Sequence, residues 1–129
     1  MRTSLMTRIA IVFAALGLAA AGAAMAQDAS PFLGAWKGKI GIAGQELEIG
    51  LNFKLDEAQK ITGTFDSISQ GAFGIPLEAI EIKDKTITFM LSGVPGDPAF
   101  KGTLDETGKK LAGDFTQGGY AGAFAVDKQ

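Results

Sequence analysis

Cysteine and histidine are absent from the 129-residue chain. Their absence removes disulfides, thiol nucleophiles, imidazole general bases and the ordinary transition-metal ligands. Arginine occurs at Arg2 and Arg8 and nowhere else, so residues beyond the first few offer no guanidinium fork for phosphate or carboxylate. After residue 26 there are ten lysines against fourteen acids, a net charge of −4. That balance carries no electrostatic footprint for nucleic acid. No G-x-S-x-G elbow and no Gly-rich phosphate loop occurs either. Glycine, by contrast, is abundant, with 18 residues, and there are nine phenylalanines but single Trp and Tyr residues, Trp36 and Tyr120.

The first 26 residues read as a secretory leader. Met1–Arg8 carries the two arginines, Ile9–Ala23 is unbroken apolar, and Ala24-Met25-Ala26 has the small-x-small spacing of a cleavage site. The alternative is an uncleaved anchor, since eighteen apolar residues from Ile9 just suffice to span a bilayer. The segment is rich in Ala and Gly, however, and no basic stop follows it. The expectation is therefore cleavage after Ala26, a periplasmic or secreted protein, and no membrane association once the leader is removed. Residues 27–129, 103 in number, make one domain with one core. At that size a chain buries about two-thirds of its unfolded surface, and without cysteine the packing of that core has to hold the fold.

Alternation of apolar and polar residues, recurring about every twelve residues between turn signals, predicts an all-β fold. Eight strands are expected: Ala35–Ile42, Glu46–Leu55, Ile61–Ser67, Leu77–Lys83, Thr86–Ser92, Ala99–Leu104, Lys110–Thr116 and Tyr120–Asp127. Short connections imply antiparallel neighbours, and closing the meander into an up-and-down, lipocalin-like barrel removes its two edges. Parity places Trp36, Ile40 and Ile42 inside with Leu47, Ile49, Leu51, Phe53 and Leu55. A phase slip between Leu77 and Ile80 predicts a β-bulge near Ala79. An apolar-x-Gly-x-apolar pattern recurs on the interior phase of five strands, at Gly38, Gly63, Gly102, Gly113 and Gly122. Such glycines either let a small barrel coil and admit neighbouring rings, which is the favoured explanation, or hollow out space for a ligand.

LDEAQKITGTFD at 55–66 is echoed by LDETGKKLAGDFT at 104–116, as expected for a barrel made of two four-strand halves. In a meander, alternate connections share an end. One end collects the charged turns Asp56–Gln59, Lys83–Lys85 and Asp105–Gly108; the other collects Ala43–Gln45, Ile68–Pro76, Gly93–Pro98 and Gln117–Gly119, with Asp97 as the sole formal charge. The uncharged end is the expected mouth. Gln45, Gln70 and Gln117 are candidate amide contacts there, Phe73 and Tyr120 candidate apolar walls, and Trp36 a candidate contact from the interior; alternatively, the glycines serve turn torsions and Phe73 plugs the barrel. A Gln70→Ala, Gln117→Ala double change is expected to leave melting nearly untouched. The carboxylates that a glycosidase-like pair would need, Asp66, Asp114, Glu46 and Glu48, fall on the outer face among lysines. Asp97, between Gly96 and Pro98, reads as a turn residue rather than a calcium ligand. No enzyme activity, cofactor or metal site is expected.

GAWKGKI (34–40), DSISQGAFGIP (66–76) and GDFTQGG (113–119) resemble the small lipocalin-like β domain found in front of bacterial periplasmic serine hydrolases of the α/β type. The similarity covers roughly Gly34–Val126. It implies a barrel and a link to such enzymes, although residues 27–129 leave no room for a hydrolase, and the domain is expected to stand alone. That family brings no ligand or catalytic residue to carry over. A looser likeness to true lipocalins rests on Gly34-Ala35-Trp36, without the arginine that usually packs over such a Trp. The functional expectation is a non-enzymatic barrel binding a small apolar or neutral ligand at its Gln/Gly-rich mouth; the alternative is an accessory module docking on a periplasmic hydrolase.

Overall fold

The computed structural model describes residues 28–129, so the expected leader, residues 1–26, lies outside the described residues. Eight antiparallel strands follow one another in chain order: β1 (Gly34–Ile42), β2 (Gln45–Leu55), β3 (Ile61–Ser67), β4 (Ala72–Lys83), β5 (Thr86–Leu91), β6 (Ala99–Leu104), β7 (Lys110–Gln117) and β8 (Tyr120–Lys128). Pairing of β8 with β1 closes the barrel. Trp36 lies opposite Leu51 on β2 and Lys128 on β8, and Ile40 lies opposite Leu47 and Phe124. Among the described residues no strand is left with an open edge, which satisfies the ladder groups that a flat meander exposes.

The interior is aromatic. Phe100 on β6 stacks on Phe89 at 4.8 Å between ring centroids and meets Phe115 at 4.7 Å, Phe124 at 5.1 Å and Phe65 at 5.6 Å. Phe53 meets Phe89 edge to face at 5.6 Å. Rings from six strands thus form one buried cluster with Trp36, Ile40, Ile49, Leu51, Ile87, Leu111 and Val126. Each such side chain contributes about 1.5–3 kcal/mol on leaving water. The interior glycines make room for this packing and for coiling of the sheet. A Cβ on Gly102 would lie 2.7 Å from Cζ of Phe124, one on Gly63 would lie 2.8 Å from Cδ1 of Leu77, and those on Gly38, Gly113 and Gly122 would strike the carbonyl oxygens of Ala125, Lys101 and Gly41. The space beside these glycines is occupied by rings and backbone.

The phase slip in β4 is a register shift between Glu78 and Glu81, with Ala79 at φ +53°. It lets Leu77, Ile80 and Ile82 all pack against the core. Besides one-residue shifts at five strand ends, two features differ from the sequence reading. β4 begins at Ala72 rather than Leu77, because the irregular β3–β4 ladder tolerates both Gly74 and Pro76: Pro76 pairs with Thr64, and Asp66 Oδ1 accepts the Gly74 N–H at 2.8 Å in place of a ladder partner. Leu55, expected inside, is partly exposed, since it is the last residue of β2 where the hairpin leaves the barrel.

The charged end is closed by a short segment that sequence periodicity does not reveal. Ser30–Phe32 forms a 3-10 turn, and Phe32 is fully buried. The indole Nε1–H of Trp36 donates to the Phe32 carbonyl at 2.9 Å. Lys128 supplies the cation over Trp36: its Nζ lies 5.3 Å from the ring centroid and donates to the Pro31 carbonyl at 3.1 Å. At the same end the two matching segments of the internal repeat make equivalent turns. Asp56 Oδ1 accepts the N–H groups of Ala58 and Lys60, and Asp105 Oδ1 accepts those of Thr107 and Gly108. The Thr107 hydroxyl, 2.7 Å from Asp105 Oδ1, is the main cause that holds this carboxyl below the ordinary carboxylate range. A folded-state value that is depressed means that the turn's contribution is present at neutral pH and is lost as the pH falls through that lowered value.

Candidate functional site

Opposite the Phe32 plug, four connections form the uncharged rim. The β1–β2 turn, Ala43-Gly44, and the β7–β8 turn, Gly118-Gly119, each have both φ values positive, the two-residue hairpin geometry whose twist matches the flanking strands. The β5–β6 loop lies against the second of these. Gly118 N–H donates to the Gly96 carbonyl at 2.8 Å, and Gln117 Nε2 donates to the Pro95 carbonyl at 3.0 Å. Gly96, at φ +87°, cannot be exchanged freely, because a Cβ there would lie 2.9 Å from Cγ of Gln117. These ties leave a shallow groove of about 370 Å³ walled by Ile42, Pro95, Gln117 and Tyr120.

The β3–β4 corner lies across the mouth. Ile68–Gln70 forms a 3-10 turn that ends on Gly71 at φ +69°. The hydroxyl of Ser67, a buried polar residue with 3% exposure, donates to Oε1 of Gln70 at 2.8 Å. Ser69 Oγ accepts the Glu48 N–H at 2.8 Å and ties the corner to β2. The D-S-x-x-Q-G-x-x-G stretch is thus a self-braced turn: Asp66 holds Gly74, Ser67 holds Gln70, and the glycines carry the positive torsions.

The predicted site residues separate into four placements. Gln117 and Tyr120 meet in the groove. Gln70 and Phe73 stand on the facing corner, and Gln45 is exposed at the start of β2 without lining the groove. Trp36 is fully buried and belongs to the charged end with Phe32 and Lys128, so the structure does not bring it to the rim. Phe73 does not plug the barrel, because it is 65% exposed, and Tyr120 is 63% exposed. These are the two most exposed large apolar side chains among the described residues, and they share one rim. Pro95 and Ile42, the other walls, escape sequence reasoning because one reads as turn chemistry and the other as core.

Both glutamines already serve the fold. Gln70→Ala removes the acceptor of a buried hydroxyl and should cost about 1 kcal/mol, with a smaller loss for the exposed Gln117 contact. The double variant should therefore melt measurably lower, correcting the expectation of unchanged melting, while Gln45→Ala should not. Equal melting of the double variant and the parent protein would contradict the Ser67–Gln70 bond.

The rim's remaining formal charge, Asp97, lies in the left-handed region at φ +48° and follows Gly96 as a turn residue. No family model matches this chain, and neither the curated proteins nor the solved structures contain a match to it.

Proposed function

We propose that the chain is a non-enzymatic, periplasmic or secreted binding module that works through its uncharged rim, with a protein as the occupant. The observation that carries this reading is the exposure of Phe73 and Tyr120 on a rim whose turns, residues 43–45, 68–71, 93–98 and 117–119, carry one formal charge, Asp97. Interface centres are depleted in charge and enriched in aromatic residues, and a few such residues supply most of the binding energy. The packed interior supports a surface role over an enclosed ligand. Resemblance to the domain that precedes periplasmic serine hydrolases suggests an enzyme of that class as the partner. A second reading is favoured by the groove itself: about 370 Å³ beside Tyr120 is large enough for a small apolar or neutral molecule.

Native mass spectrometry of the protein recovered from its own compartment separates the two, since a copurifying protein and a copurifying small molecule differ in mass. The Phe73→Ala, Tyr120→Ala double variant should keep its stability within about 0.5 kcal/mol and lose the copurifying species, with binding weakened by about 2 kcal/mol or more. Undiminished capture by that variant would refute a role for the rim.

A further inference from the structure

The two aromatic positions are not independent. Gln70-Gly71-Ala72-Phe73 and Gln117-Gly118-Gly119-Tyr120 follow the two copies of the internal repeat, one leading into β4 and the other into β8. In a closed eight-strand barrel those strands stand on opposite sides of the axis. The rim therefore carries a glutamine and an exposed aromatic twice, at the starts of strands on opposite sides of the barrel.

The free hydrogen-bonding capacity is complementary. Gln70 uses Oε1 on Ser67, and Gln117 uses Nε2 on Pro95. Among the described residues, Gln70 Nε2 and Gln117 Oε1 have no partner. One side of the mouth thus offers a donor and the other an acceptor, which are the complements of a peptide C=O and N–H. Eight strands about 4.8 Å apart, tilted by about 36°, enclose a circle roughly 15 Å across. An extended chain at about 3.3 Å per residue crosses that in about five residues.

Resting on the rim-docking reading, we propose that the rim recognises an extended, uncharged segment of about five residues in its protein partner. One apolar side chain of that segment enters the groove between Tyr120 and Pro95, and its backbone is held by Gln117 on one side and Gln70 on the other. A charged side chain is disfavoured in the groove because no charged residue lines it, and the ties Gly118–Gly96 and Gln117–Pro95 fix the groove before binding, which reduces the ordering cost.

The test uses a random heptapeptide library displayed on phage and selected against the immobilised protein, with chitohexaose as a saccharide control. Enriched sequences should lack Lys, Arg, Asp and Glu and carry apolar residues two positions apart. The corresponding capped synthetic peptides should perturb amide resonances of both Gly118 and Gly71, and Tyr120→Ala should weaken them at least tenfold. No enrichment, enrichment of charged sequences, perturbation confined to one side of the mouth, or chitohexaose acting on the same residues would overturn the proposal. If the Phe73→Ala, Tyr120→Ala variant loses its copurifying protein while no peptide is selected, rim docking stands and the extended segment falls.

Discussion

Replacing Gly113 by alanine should lower the stability of the barrel by about 3 kcal/mol or more, toward or beyond the upper end of ordinary overpacking. The cause is backbone rather than side chain. The added methyl would strike the Lys101 carbonyl oxygen and lie 2.9 Å from the Gly102 Cα, and neither group can swing aside without opening the β6–β7 ladder. Gly113 pairs directly with Gly102, so the two strands face each other there with no Cβ on either side. Gly41 on β1 is the matched control: a Cβ there meets nothing within 4 Å, and Gly41→Ala should be neutral within about 0.5 kcal/mol. Urea denaturation of the two variants checks the pair. A neutral Gly113→Ala would show that the strands are not coiled as described.

Trp36→Ala should cost about 3–5 kcal/mol. Three contacts are lost together: the indole's burial at 0% exposure, its 2.9 Å hydrogen bond to the Phe32 carbonyl, and the Lys128 ammonium 5.3 Å from its ring. With the indole gone, the Phe32 carbonyl loses its donor and the plug loses its anchor. In a domain whose total stability is on the order of 5–15 kcal/mol, this removes a large share. A near-neutral result would mean that Trp36 does not hold the charged end closed.

The strand phase was legible because burial on one face imposes a period of two. Along Glu46–Leu55 the alternation is unbroken, and β2 buries Ile49, Leu51 and Phe53. The break in that period at Ala79 marked the bulge, because one extra residue reverses every later side chain. The sorting of connections between two ends followed from topology alone, and contacts such as Gly118–Gly96 at one end and Leu104–Lys85 at the other match it. What stayed hidden depends on tertiary contact. Ser30–Phe32 is too short to show any period, so its role as the plug could not be read. Gly74 and Pro76 look like loop residues in isolation, yet Asp66 and Thr64 keep them in a strand. Gln70 and Gln117 read in the sequence as candidate amide contacts, and half of each amide is spent on bracing the rim. Exposure of Phe73 is likewise invisible to composition, since a Phe beside a barrel mouth suits a plug as well as an outward wall.

Rings from six strands pack the interior, which leaves the rim as the proposed recognition surface. Xenon binding followed by ¹²⁹Xe NMR measures this directly, because xenon enters dry apolar cavities. The native protein should show no saturable xenon site, and Trp36→Ala, which vacates an indole's volume, should acquire one if it remains folded. A saturable site in the native barrel would reveal a hollow interior and return the ligand to the inside.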